Sequence, residues 1–280
     1  MSTATDFDYG VEFKTYDDER QGDGLIRMQW RNGEQRSKTG GYFFVPAERL
    51  NGFQPAAPWG AFTDTFNDGT EVEGFKAETL RIAIVGVRQQ PFIKDSDGRK
   101  TWLPKGKYAK DEPGAGLQVD VLCVAEGLED LGVVCWASST IKTSFAIVSR
   151  GDKTGAGVGI LHRIKAEIVK PAEQIAKREL RPWCFWAEIT TERDAQGKIV
   201  YTATKGKAVT RPVLKLPATI DKAYLISIAT GKDMAAWGES TRAEYDAWFK
   251  EERTNDVAPA TAQPSGKNVP QEVTDADLPF

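Results

Sequence analysis

Three stretches of this 280-residue sequence interleave cations with aromatic side chains, which is the equipment needed to hold a single-stranded nucleic acid. Cations meet phosphates along a groove, and flat rings between them give bases a face to stack on. From Phe92 to Lys110 the order is FIKDSDGRKTWLPKGKYAK, with Trp102 and Tyr108 set among Lys94, Arg99, Lys100, Lys105, Lys107 and Lys110. From Met28 to Phe44 the order is MQWRNGEQRSKTGGYFF, which places Trp30, Arg31, Arg36, Lys38 and Tyr42 in a similar alternation. A third cluster, Lys205, Lys207 and Arg211, follows the turn Asp194-Ala-Gln-Gly197. Aromatic rings also build cores, so each one taken singly has burial as its commoner fate. The pattern as a whole carries the expectation, with Trp30, Tyr42, Trp102 and Tyr108 as the stacking candidates.

Charge is distributed in blocks. The net charge is only −3. Yet residues 76–110 hold nine Lys/Arg against three acids, and residues 142–215 hold fifteen against seven. Acids gather in residues 6–34 (eight against four bases), in 111–140 (six, with no base) and from Thr254 onward (four against one Lys). Two basic blocks beside acidic ones fit an anionic ligand and an internal competitor for it, or simply an unevenly charged solvated surface.

Catalytic patterns are thin. Gly151-Asp-Lys-Thr-Gly-Ala-Gly-Val-Gly159 has Lys-Thr before its later glycines, the wrong order for a Walker loop. Its glycine spacing also misses the dinucleotide fingerprint by one position. It is a plain connection, or a loop whose amides and Lys153 touch phosphates. Nucleophile elbow, kinase and HExxH patterns are absent. Cys123, Cys135 and Cys184 lack metal-ligand spacing, and His162 is the single histidine, so neither a metal nor a cofactor is expected. Three cysteines without a disulfide framework point to a reducing, cytoplasmic setting. The N-terminus MSTATDFDYG lacks the apolar region of a signal peptide, and no run approaches the roughly 18 apolar residues of a membrane span.

The elements that must carry these residues are mostly strands. Leu80–Val87, Leu117–Val124, Val133–Trp136 and Trp183–Thr190 have strand composition. Asp194–Gly197 predicts a hairpin over 183–204, and Arg31-Asn-Gly33 and Ser96-Asp-Gly98 supply two more turns. Helices are expected over 171–180, starting at Pro171, and over 220–229 and 240–252. The pattern predicts a mainly β protein with added helices, a barrel or sandwich and not a βαβ array.

The chain ends Asp275-Ala-Asp277-Leu278-Pro279-Phe280 after a Pro-containing polar stretch from residue 254. This tip resembles the acidic tip of single-stranded DNA-binding proteins, whose bacterial members end in an Asp run, an aliphatic residue, Pro and Phe. The acid run here is thinner, with Ala276 between the two Asp. The resemblance covers the last six residues, and the body is similar to a phage or mobile-element version of that class. It implies an OB-fold-like barrel with long insertions over 7–215, after a disordered 1–6. A helical extension over 216–253 and a disordered tail over 254–280 complete the expected organisation. It also implies binding of single-stranded DNA without strong sequence preference. Replication, recombination or repair proteins would be recruited through Asp275, Asp277, Leu278, Pro279 and Phe280, and self-association through the helices is open. A strand-annealing or mediator protein, and a Mg-dependent nucleic-acid enzyme, stand as alternatives; an RNA ligand is open too.

Overall fold

The computed structural model describes residues 25–253 apart from 34–37, 66–68, 97–98, 109–111, 140, 151–157 and 205–206. Twelve strands run in chain order: β1 (Ile26–Arg31), β2 (Tyr42–Pro46), β3 (Gly60–Thr65), β4 (Glu71–Ala77), β5 (Leu80–Lys94), β6 (Lys100–Trp102), β7 (Ala115–Ala125), β8 (Val134–Ser138), β9 (Ala187–Thr191), β10 (Thr202–Thr204), β11 (Lys207–Val209) and β12 (Pro212–Leu214). Among the described residues, ten of them form one mixed sheet in the order β12-β9-β5-β7-β8-β1-β2-β4-β3, with β6 paired to the far half of β5. Among the described residues β10 and β11 pair only with each other. Every ladder is antiparallel except β1 on β8, where Ile26 opposes Val134 and Gln29 opposes Ala137.

Period-2 alternation gives this sheet two distinct faces. Met28, Trp30, Phe43, Val45, Val119, Val121, Val134 and Trp136 point to the inner face and form the main core. Residues between them, such as Arg27, Gln29, Arg31, Tyr42 and Asp120, point to the outer face. β5 changes parity along its length: Leu80, Ile82 and Ile84 face inward, the register shifts between Ile84 and Gly86, and Val87 then faces inward. One extra residue at that bulge moves Arg88, Gln90 and Phe92 to the outer face. β7 is buried at all eleven positions, because both of its faces are covered.

Helices cover each face. On the inner side lie α1 (Ile141–Val148), α2 (Ile160–Arg163) and α3 (Lys170–Ala176), the last two joined by a π-helical segment, Ile164–Val169. Pro171 therefore sits inside a longer helical run and not at its start, as the composition suggested. A proline lacks the N–H for the ladder and its ring collides with the carbonyl four residues back. The widened turns of the π segment relieve both problems just ahead of it. α4 (Lys222–Ser227) is capped by the Asp221 carboxylate, which accepts from the Tyr224 N–H at 2.8 Å. On the outer side α5 (Lys232–Glu244) and α6 (Asp246–Lys250) bring Trp248 and Phe249 against Leu25, Val85, Leu122, Cys135 and Ala137, a second and smaller core. Gly86 is required there: a Cβ at this position would run into the Phe249 ring and the Arg242 guanidinium.

The sheet curls without closing by a ladder, since β12 and β3 are its two ends. Its halves meet through side chains instead. The Thr191 hydroxyl of β9 donates to the Gly41 carbonyl at 3.0 Å, and the Gly33 N–H donates to the Thr210 hydroxyl at 3.1 Å. The turn at Asp194 forms, its carboxylate accepting from the Gln196 and Lys198 amides. The hairpin expected over 183–204 forms only near this turn, where the Arg193–Ile199 bridge and the Val200 N–H donating to the Glu192 carbonyl at 3.0 Å join its arms; β9 itself pairs with β5 and β12. The buried Ala187 and Ile189 of β9 complete the inner core, and with β5 on one edge and β12 on the other β9 has no edge left for the arm after the turn.

Candidate nucleic-acid interface

Three registers place the basic stretches at one end of the sheet. Gln29 opposes Ala137, Ser138 opposes Val119, and Gln118 opposes Gln90. The C-terminal ends of β1, β8 and β5 therefore lie together, and from them leave the β1–β2 connection, α1 and the β5–β6 hairpin. Contacts tie these pieces into one rim. Tyr108, beyond the hairpin, packs edge-on against Phe145 of α1 at 5.6 Å. Lys142 at the start of α1 lies near enough to Arg211 that Arg211, after burial, is a cause of its lowered pKa. Thr210, next to Arg211, holds Gly33, and the Tyr201 hydroxyl donates to the Thr39 carbonyl at 2.9 Å. The stretches around 28–44, 92–110 and 201–211 are thus neighbours in space.

Within that rim the side chains divide into exposed cations and committed ones. Lys38, Arg99 and Lys107 are exposed, and Lys94 and Lys100 are half-buried. Lys38 has a left-handed backbone, φ 56°. Arg211 is half-buried and bidentate to Glu192, a pairing that holds its guanidinium above the usual pKa. Lys105 donates to the carbonyls of Phe249 and Lys250 at 3.5 and 3.0 Å, so it caps the C-terminal end of α6; burial lowers its pKa. Tyr108 is half-buried, and burial pushes its phenol up. Lys207 lies on β11. Arg36, Lys110, Lys153, Lys205 and the tip residues Asp275 to Phe280 lie outside the described residues, as does the Lys207 side chain.

Three of the residues expected to meet a ligand are buried in this structure. Trp30 opposes Phe43 on the inner face, is 5% exposed, and donates through its indole N–H to the Thr210 carbonyl at 3.4 Å. Alternation along β1 sends it inward, so it braces the curl and offers no free ring face. Arg31, its outward neighbour, is buried with its Nε donating to Asp64 at 2.6 Å, which commits it to an internal ion pair. Trp102 is 7% exposed, between Phe92 at 5.6 Å and the Arg253 guanidinium at 4.4 Å. Tyr42 remains half-buried on the outer face, its hydroxyl donating to Asp64 at 3.0 Å; burial first, then Asp64, drive its pKa far above the ordinary phenol range.

Sequence patterning missed several outer-face residues. Phe62 of β3 meets Tyr42 edge-on at 5.4 Å, with the Lys76 ammonium 4.4 Å above the Phe62 ring. The β2-β4-β3 registers, Phe44 on Lys76 and Phe62 on Gly74, assemble this patch, and such long-range pairing leaves no local signal. Arg88, Gln90, Gln118 and Asp120 form a buried polar group under α6, with Arg88 2.9 Å from Asp120. The sequence hint was Gln118 and Asp120 alternating with Val119 and Val121 in an otherwise apolar strand.

The arrangement defines a curled mixed β-sheet with helices on both faces and a cationic, partly aromatic rim at one end. No family model, curated protein or solved structure matches the chain. Among the described residues no group of His, Cys, Asp and Glu is arranged to hold a metal ion, and no helix is long and apolar enough to cross a membrane.

Proposed function

We propose that this chain binds single-stranded DNA without strong sequence preference and recruits DNA-processing proteins through its C-terminal tip. One observation carries the reading: three basic stretches far apart in sequence come together around α1. Lys38, Lys94, Arg99, Lys100 and Lys107 there supply phosphate contacts, and the Tyr108–Phe145 and Tyr42–Phe62 pairs supply half-exposed ring surface. The curled sheet acts as an OB-like platform, using loops at one end and part of one face. Arg253, the last described residue, stands on Trp102 of the basic hairpin, and Lys105 holds the Lys250 carbonyl just before it; the residues numbered 254–280 carry four acids and one Lys. That placement supports a tip with two states: on the protein's own cations when DNA is absent, and on a partner when DNA is bound. Leu278, Pro279 and Phe280 beside Asp275 and Asp277 suit an apolar pocket bordered by cations.

The test is a titration of oligo-dT against tryptophan fluorescence at several salt concentrations, beside a duplex of equal length. Binding of the single strand that weakens steeply with salt supports the reading. Equal affinity for the duplex, or no binding at low salt, rejects it.

A further inference from the structure

The outer face beneath residues 251–253 is a layer of ring and amide groups that the chain itself covers. Registers put Arg88, Gln90 and Phe92 of β5 opposite Asp120, Gln118 and Gly116 of β7, and Phe92 opposite Trp102 of β6. These side chains share one face. Across it runs the short strap that follows α6. Arg253 lays its planar guanidinium 4.4 Å from the centre of the Trp102 ring. The Gln90 carboxamide pairs with the Arg253 backbone: its Oε1 accepts from the Arg253 N–H at 2.7 Å, and its Nε2 donates to the Arg253 carbonyl at 3.0 Å. A flat group on an indole, with an adjacent donor and acceptor matched by a glutamine amide, is what a stacked base would present. Beside it the Oε1 atom of Gln118 is buried without a hydrogen-bond partner, while its Nε2 donates to Asp120 at 2.9 Å.

Charge balance makes the strap separable. Asp120 accepts from Arg88 at 2.9 Å and from Arg253 at 2.6 Å, and Glu251 accepts from Arg88 at 3.0 Å. Lifting 251–253 removes one cation, Arg253, with Glu251 and the exposed Glu252, and leaves Arg88 paired with Asp120. Glu251 is already 56% exposed at its side chain, so its release strands no buried charge. The other hairpin cations, Lys94, Lys100 and Lys107, remain beside the uncovered ring.

We propose that Trp102, Gln90 and Gln118 form a base-binding site, occupied in the DNA-free protein by Arg253 and opened when a strand displaces the strap. Thymine fits it: the ring stacks on Trp102, its N3–H donates to a glutamine Oε1, and a carbonyl accepts from Gln90 Nε2. This deepens the single-strand reading and rests on it.

The experiment uses full-length protein and fluorescently labelled oligo-dT, with an abasic phosphodiester of equal length as control. R253A removes the guanidinium, R253P also removes the N–H held by Gln90, and R253K keeps the cation while losing its plane. Hydrogen exchange at 246–253 reports strap release. R253A and R253P are expected to bind oligo-dT about fivefold or more tightly, as one newly available stacking contact allows. Their binding to the abasic strand should stay equal or weaken, because a cation has been lost. R253K should fall between wild type and R253A, and adding W102A to R253A should abolish the gain. If wild type binds oligo-dT but the released variants bind it no more tightly, the inference is overturned while the single-strand reading stands. A gain that survives W102A, or appears equally on the abasic strand, overturns it too. Wild type that fails to bind oligo-dT at low salt removes both.

Discussion

Replacing Asp120 by alanine strips the anion from a site that holds two buried guanidinium groups. The Asp120 side chain is 1% exposed, that of Arg88 2% and that of Arg253 6%. Arg88 keeps the Trp248 carbonyl at 3.0 Å and Glu251, but the latter is largely in water and screens poorly. Removing one partner of a buried pair costs about 3–5 kcal/mol, because the remaining charge stays desolvated. Two cations depend on this carboxylate, so D120A should lose about 4 kcal/mol. At about 2–4 °C per kcal/mol for a chain of this size, the melting midpoint should fall on the order of 10 °C. Urea denaturation followed by tryptophan fluorescence, with circular dichroism melts, measures both. The paired replacement R88M/D120L removes charge and counter-charge together and should recover most of the loss, leaving Arg253 free to turn toward solvent. A D120A protein within about 1 kcal/mol of wild type would refute the claim that this carboxylate holds the outer face together.

Two further outcomes follow from the geometry. G86A should cost about 1–3 kcal/mol, since its methyl displaces Phe249 and Arg242, and near-ultraviolet dichroism should show loosened packing of Trp248 and Phe249. Burial, then the charges of Arg150 and Lys165, hold the His162 imidazole below its ordinary pKa. The unfolded chain therefore takes up a proton first as pH falls. The stability that His162 contributes is present above an unfolded value of about 6.5 and lost as pH drops through the lower folded value. Urea midpoints at pH 7.5 and 5.5 should fall further for wild type than for H162Q; an equal fall in both would contradict the assignment.

The strands around 80–87, 117–124 and 133–136 were legible because β-branched runs bounded by turns carry their own signal. The second half of β5 was not, since the bulge at Ile84/Gly86 inverts its alternation and turns Arg88 and Gln90 to the outer face, although the unbroken parity of Leu80, Ile82 and Ile84 would require apolar residues at those positions. The parallel β1–β8 pairing joins segments about a hundred residues apart and has no local trace. For the site, the three cationic stretches could be read from composition, but not which rings stay open. Trp30 and Trp102 sit in alternations that look exposed. Their burial depends on partners elsewhere in the chain, Thr210 for one and Arg253 for the other.

The proposed function requires a single strand to lie at the end of the sheet where these stretches meet. Photo-crosslinking of an oligonucleotide carrying 5-iodouracil, followed by peptide mapping, locates it directly. Crosslinks should fall in residues 92–108, at the start of α1 and in residues 201–211, and should vanish at high salt. Crosslinks confined to the opposite end, residues 47–58 and 126–133, or equal labelling by a duplex, would contradict it.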